Sequence, residues 1–159
     1  MSSALRRLGW CTIAAVVPYG LLPASVVAAA LLLRLAALVD DEHARGWLQA
    51  AAVACGSTAA LAVVALVDDG GAGWWAAGLA ALAVVTLYAF GMASWVAARS
   101  PRLARNFRGG AALLWVGLAT GVIAVLPGAV LVLAGYVLLG AAHGIVKETM
   151  QQRPVRVPA

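Results

Sequence analysis

The chain has few charged residues and few cysteines. Only 11% of its 159 residues are Asp, Glu, Lys or Arg, and only two are cysteine. Cys11 and Cys55 do not form a CxxC pair and have apolar neighbours, so the sequence indicates no zinc or redox motif. It also contains no HExxH pattern, no phosphate-binding glycine loop and no nucleophile beside a base. These absences favour a protein that is not an enzyme.

Acidic residues are absent from the long apolar stretches of the chain. The six acids lie between or after those stretches: Asp40, Asp41, Glu42, Asp68, Asp69 and Glu148. Proton-coupled and cation-coupled transporters usually need an ionisable residue inside the membrane. The distribution therefore disfavours a transporter of that kind, and it leaves open a pore or a carrier of apolar molecules.

Apolar residues dominate the composition. They make up 64% of the chain, with a mean hydropathy of +0.96, compared with roughly 45–50% in soluble domains. Runs of about 20 and more apolar residues are long enough to span a bilayer as helices. The sequence predicts an all-α, polytopic integral membrane bundle without a sheet, located in the cell (plasma) membrane. The net charge of +5 requires no nucleic-acid partner, because basic loops of membrane proteins lie beside anionic headgroups.

Five transmembrane helices are predicted. The last apolar block, residues 107–146, is too long for one helix at 1.5 Å per residue, and Pro127 with Gly128 is expected to divide it. The first block, residues 8–39, is interrupted by two prolines and a glycine. It is either one kinked helix or a short re-entrant piece followed by a span, so four or six spans remain alternatives. The predicted spans are 9–38, 46–67, 74–98, 107–126 and 129–146, followed by a tail, 147–159.

Lysine and arginine predict the orientation of these spans. With five spans, one side of the membrane carries only Arg6 and Arg7. The other side carries nine basic residues: Arg34, Arg45, Arg99, Arg102, Arg105, Arg108, Lys147, Arg153 and Arg156. Because cytoplasmic loops are enriched in Lys and Arg, the C-terminal tail is predicted to be cytoplasmic. The side of the N-terminus stays open, since a hairpin in the first block would return it to the cytoplasm.

Two histidines are the candidates for a cofactor site. His43 lies in the first loop, and His143 lies near the end of the last span, on the same predicted side. A pair of histidines can ligate haem or a metal, but no cysteine or carboxylate stands at ligand spacing beside them. We interpret His43 and His143 as interfacial or packing residues, and we predict neither a cofactor nor a metal.

Small residues indicate where helices approach each other. Gly117 and Gly121, and likewise Gly140 and Gly144, fit the small-xxx-small spacing that allows close packing of membrane helices. This packing is predicted within the bundle, with a homo-oligomer or a membrane-protein partner as the alternative.

The third loop is strongly basic. It differs from a voltage sensor, because Ser, Pro and Asn interrupt its arginines and no buried acid is available to pair with them. A loop of this kind is predicted to contact anionic lipid headgroups. Its arginines are Arg99, Arg102, Arg105 and Arg108.

The tetrapeptide Leu-Val-Asp-Asp occurs twice, at residues 38–41 and 66–69. One predicted span separates the two copies, so they lie roughly 30 Å apart at opposite faces of the membrane and cannot form one cation site. Each copy is instead predicted to supply an aspartate that caps the next helix and meets its positive dipole end.

These features favour a small multi-pass membrane protein that acts as a non-enzymatic accessory or interaction component of the cell membrane. The second interpretation is a small channel or carrier for a neutral or apolar solute. The third is a membrane haem or metal protein that uses His43 and His143.

Overall fold

A computed structural model of the protein describes residues 21–67 and 71–151, and in this part of the chain there are five helices and no strand. The predicted all-helical class is therefore confirmed for these residues. The first twelve residues of the predicted span 9–38 and the end of the tail after residue 151 lie outside the described residues. The helices are α1 (Leu21–Ala37), α2 (Glu42–Val67), α3 (Gly71–Ala97), α4 (Pro101–Ile123) and α5 (Val125–Gln151).

Three helices are long and apolar enough to cross a membrane. The qualifying segments are Glu42–Val67 of α2, Trp75–Ala97 of α3 and Val125–Glu148 of α5. The shortest of them has 23 residues and measures about 35 Å at 1.5 Å per residue, which exceeds the roughly 30 Å of a hydrocarbon core. Length and composition thus identify α2, α3 and α5 as candidate spans.

An aspartate fixes the start of α2, as predicted from the first Leu-Val-Asp-Asp copy. The amide of Ala44 donates a hydrogen bond to Oδ1 of Asp41 at 3.0 Å. The amide of Arg45 donates to the Asp41 carbonyl at 2.9 Å. This carboxylate satisfies an amide that no helical carbonyl can reach. The capping prediction is confirmed for this copy, whereas Asp68 and Asp69 lie outside the described residues.

The basic segment predicted as a loop is largely helical, which corrects the sequence-based boundary. Ser100 is the N-cap of α4, with the Leu103 amide donating to its Oγ at 3.4 Å, and Pro101 occupies the first helical position. A serine cap followed by proline is a typical helix start. The connection between α3 and α4 is therefore limited to residues 98–100, and α4 begins six residues before the predicted span.

The last apolar block is divided as predicted, but at Ala124. This residue has extended backbone angles, φ −143° and ψ 104°. Its amide donates to the Thr120 carbonyl at 2.7 Å, and its carbonyl accepts from the Gly128 amide at 3.1 Å. Pro127 lies in the first turn of α5, where proline removes no intrahelical hydrogen bond. The proline therefore helps to start α5 instead of occupying the turn itself.

The helices form an up-and-down bundle in which each packs mainly on the next one in the chain. Trp47 near the start of α2 stacks on Phe90 near the end of α3, with ring centroids 5.6 Å apart, so these two helices are antiparallel. Bulky core residues concentrate in the half of the bundle that contains the connections 38–41 and 98–100. Large, fully buried side chains there include Phe107, Leu32, Leu35, Leu48 and Met92.

Candidate functional site

Charge is confined to one end of the bundle, which we call the charged end. It comprises the connections 38–41 and 98–100, the adjoining helix turns and the last turns of α5. Because successive helices run in opposite directions, these segments lie together at one end of the bundle. Every charged residue of the described part belongs to it: Arg34, Asp40, Asp41, Glu42, Arg45, Arg99, Arg102, Arg105, Arg108, Lys147 and Glu148.

Three of the predicted basic residues form a stripe on the outside of α4. Arg102, Arg105 and Arg108 are all exposed, and each lies about 4.5 Å further along the helix than the one before. Arg99 differs, because its guanidinium carbon lies 5.5 Å from the centroid of the Trp95 ring. A cation over a tryptophan face at the end of a helix suits the boundary between hydrocarbon and headgroups.

The two candidate histidines have different surroundings. His43 is exposed in the first turn of α2. His143 on α5 reaches α3, where its Nδ1 lies 2.6 Å from the hydroxyl oxygen of Tyr88. The Tyr88 ring also meets Phe107 of α4 edge-on, at a centroid distance of 6.5 Å. His143 thus takes part in a contact that joins α3 to α5, and its partner Tyr88 was not predicted from the sequence.

No group of three or more His, Cys, Asp or Glu residues is placed to hold a metal ion within residues 21–67 and 71–151. The helices that carry His43 and His143, α2 and α5, are not an extensively packed pair.

The predicted glycine pairs occupy two kinds of position. A Cβ atom at Gly117 would lie 2.7 Å from the Val132 backbone nitrogen, and one at Gly121 would lie 3.9 Å from the Gly128 Cα. Both glycines therefore line the antiparallel contact between α4 and α5. A Cβ atom at Gly140 or Gly144 would meet no atom within 4 Å.

Further glycines of this contact were missed by sequence reasoning. A Cβ atom at Gly110 would lie 2.6 Å from Leu139 Cγ, and one at Gly135 would lie 2.9 Å from the Gly110 carbonyl oxygen. Gly110 and Gly117 are seven residues apart, as are Gly128 and Gly135, and seven residues are about two helical turns. This spacing is the signal that could have located the contact.

An apolar cleft of about 330 Å³ opens in the half of the bundle away from the charged end. All five helices contribute to its wall, and no charged residue lines it. Trp75, Leu79 and Tyr136 form its rim, and between 41% and 71% of each is exposed. The cleft is therefore open to the surroundings of the bundle and not enclosed.

Small side chains contribute to this cleft. Its wall includes Ala24, Ala28, Gly78 and Ala81, which lie beside larger aliphatic and aromatic residues. Sequence reasoning did not predict the cleft, because small residues are spread throughout the chain and their pattern does not reveal where a gap will remain.

Few polar atoms face the cleft. Buried Thr58 donates its hydroxyl to the Ala54 carbonyl at 2.9 Å, which leaves the oxygen lone pairs able to accept a hydrogen bond.

Comparison with known proteins found no matching family model, no matching curated protein and no matching solved structure. By its own chemistry, a lining of aliphatic side chains with a few hydroxyls is suited to binding a neutral or apolar molecule.

Proposed function

We propose that the protein is a non-enzymatic multi-pass protein of the cell membrane that holds a neutral or apolar molecule from the bilayer. The observation that carries this proposal is the apolar cleft. Its volume of about 330 Å³ falls within the range of small-molecule sites, roughly 300–1,000 Å³. Because its rim is exposed among apolar helix surfaces, an apolar molecule could enter from lipid without crossing water.

The proposed placement has the charged end and the C-terminus in the cytoplasm. The charged end holds seven basic and four acidic residues within the described part of the chain, and cytoplasmic segments of membrane proteins are enriched in Lys and Arg. There the stripe of Arg102, Arg105 and Arg108 would contact anionic headgroups.

Occupation of the cleft can be tested with two matched glycine variants. Gly78 lines the cleft and Gly56 does not, and a Cβ atom at either position meets no atom within 4 Å. Gly78→Leu should therefore fill part of the cleft without disturbing the fold, while Gly56→Leu adds the same side chain elsewhere. In lipid nanodiscs, a photoactivatable long-chain alcohol should label the wall of the wild type and of Gly56→Leu.

Gly78→Leu should reduce this labelling several-fold. Equal labelling of both variants, or labelling spread over the outer surface, would contradict the proposal.

A second candidate function is that of an accessory component that packs against another membrane protein or a second copy. Gly140 and Gly144 favour it, because they are four residues apart on α5 and a Cβ atom at either would meet nothing. A small-xxx-small surface of this kind can receive another helix.

Cross-linking in native membranes should trap a complex with the wild type and lose it with the double variant Gly140→Leu and Gly144→Leu. Gly46→Leu, also at an open position, is the control. Unchanged cross-linking of the double variant would remove this candidate.

A further inference from the structure

The turn between α4 and α5 is unusually apolar for a connection at the end of a hairpin. Four large aliphatic residues, which we call the hydrophobic tip, flank Ala124: Val122, Ile123, Val125 and Leu126. Each is 76 to 90% exposed. No charged residue occurs between Arg108 and Lys147, although turns that face water usually carry polar residues.

The length of α4 determines how far this tip can reach. Fifteen residues follow Arg108 up to the end of α4 at Ile123, and they measure about 22 Å along the axis. A hydrocarbon core is roughly 30 Å thick. If Arg108 lies at the headgroup boundary, the tip therefore stops about 8 Å before the opposite boundary.

The alternative placement is unfavourable at both ends of α4. To bring the tip to the opposite surface, Arg102 must lie at the boundary, and Arg105 and Arg108 then lie about 4.5 and 9 Å inside the hydrocarbon. Arginine inside a bilayer is costly unless its side chain reaches the interface. The same shift would remove four aliphatic side chains from lipid. Both effects therefore favour the shallower position.

The second helix of the hairpin must share this depth. The α4 and α5 backbones touch at Gly117 and Val132, where a Cβ atom on the glycine would lie only 2.7 Å from the Val132 nitrogen. Such close contact prevents either helix from sliding past the other without breaking the glycine packing.

We infer that the hydrophobic tip lies within the hydrocarbon of the leaflet opposite the charged end and contacts lipid acyl chains. Backbone left unbonded in hydrocarbon is costly, and the turn satisfies part of its backbone internally. Ala124 is the only residue between the two helices. Its amide bonds Thr120 and its carbonyl bonds Gly128, while Pro127 has no amide hydrogen to satisfy.

Nitroxide labelling of Ile123→Cys tests this inference. The background is Cys11→Ser with Cys55→Ala, and the protein is reconstituted into bilayers. Collisions with oxygen, which concentrates in hydrocarbon, and with a water-soluble nickel chelate report the surroundings of the label. We expect Ile123→Cys to collide at least several-fold more with oxygen than with the chelate.

Two control positions calibrate the measurement. Asp40→Cys, exposed at the charged end, should favour the chelate, whereas Val53→Cys, 73% exposed near the middle of α2, should favour oxygen. The inference depends on the proposed membrane insertion, which a chelate-accessible Val53 label would refute separately.

With Val53 in lipid, chelate access at Ile123 would place the tip in water and overturn the inference. Protection of Ile123 from both reagents would show that protein covers the tip, and it would overturn the inference equally.

Discussion

Replacing Gly117 by alanine should separate α4 from α5 and destabilise the fold. The added Cβ atom would lie 2.7 Å from the Val132 nitrogen, 2.8 Å from its Cγ2 and 2.9 Å from the Gly128 carbonyl oxygen. Two of these three neighbours are backbone atoms, so no rotamer change relieves the contact. Restoring an ordinary separation of about 3.4 Å requires the α5 backbone to retreat by about 0.7 Å.

Two opposing effects determine the magnitude. Overpacking a well-packed contact typically costs 1–3 kcal/mol, while alanine is favoured over glycine inside a helix by up to about 1 kcal/mol. The retreat also weakens the neighbouring contacts at Gly110 and Gly135. We therefore expect a net loss of about 1–2 kcal/mol in the free energy of unfolding for Gly117→Ala.

Two further alanine variants make this prediction falsifiable. Gly121→Ala meets only an ordinary contact at 3.9 Å, and Gly140→Ala meets no atom within 4 Å. Neither variant should therefore lose stability, and Gly140→Ala should gain up to about 1 kcal/mol. Reversible unfolding in mixed micelles, followed by tryptophan fluorescence, gives the three free energies. If Gly117→Ala were as stable as Gly140→Ala, the proposed close packing of α4 on α5 would be refuted.

Two predictions concern single hydrogen bonds. Tyr88→Phe keeps the ring that packs on Phe107 but removes the hydroxyl 2.6 Å from His143 Nδ1. Side-chain hydrogen bonds in membrane proteins contribute about 0.6 kcal/mol on average and up to about 1.7 kcal/mol, so the same unfolding assay should show a loss of stability in this range. No loss would contradict a structural role for the bond. Asp41→Ala removes the cap of α2 and should cost about 1 kcal/mol, measured by thermal unfolding. Asp40→Ala, which changes an exposed neighbour that does not cap, should leave stability unchanged, and equal effects of the two variants would contradict the capping role.

Local chemistry explains which parts of the fold were predictable. Asp41 caps α2 through an amide three residues away, and the break near Pro127 follows from the length of an apolar block and from proline geometry. Such features depend only on neighbours in the chain. The start of α4 was misplaced because the span was bounded by its apolar residues, whereas the helix begins at the serine cap and proline at residues 100 and 101.

Contacts between helices explain what could not be predicted. His143 appeared in the sequence as an isolated histidine, and only packing of α5 near α3 brings it to Tyr88. Gly117 and Gly140 belong to motifs of the same spacing, yet one touches a neighbouring backbone and the other faces open space. Their different environments depend on helix rotation and register, which no single segment encodes.

The sequence by itself determined the helical class, the apolar segments, the position of charge along the chain and the cap of α2, because these properties arise from composition and from hydrogen bonds over three or four residues. Only the tertiary structure decided which glycines join α4 to α5, that His143 meets Tyr88, and where the helices leave a cleft. Those features arise where distant segments meet, and the space between helices depends on how all five pack together.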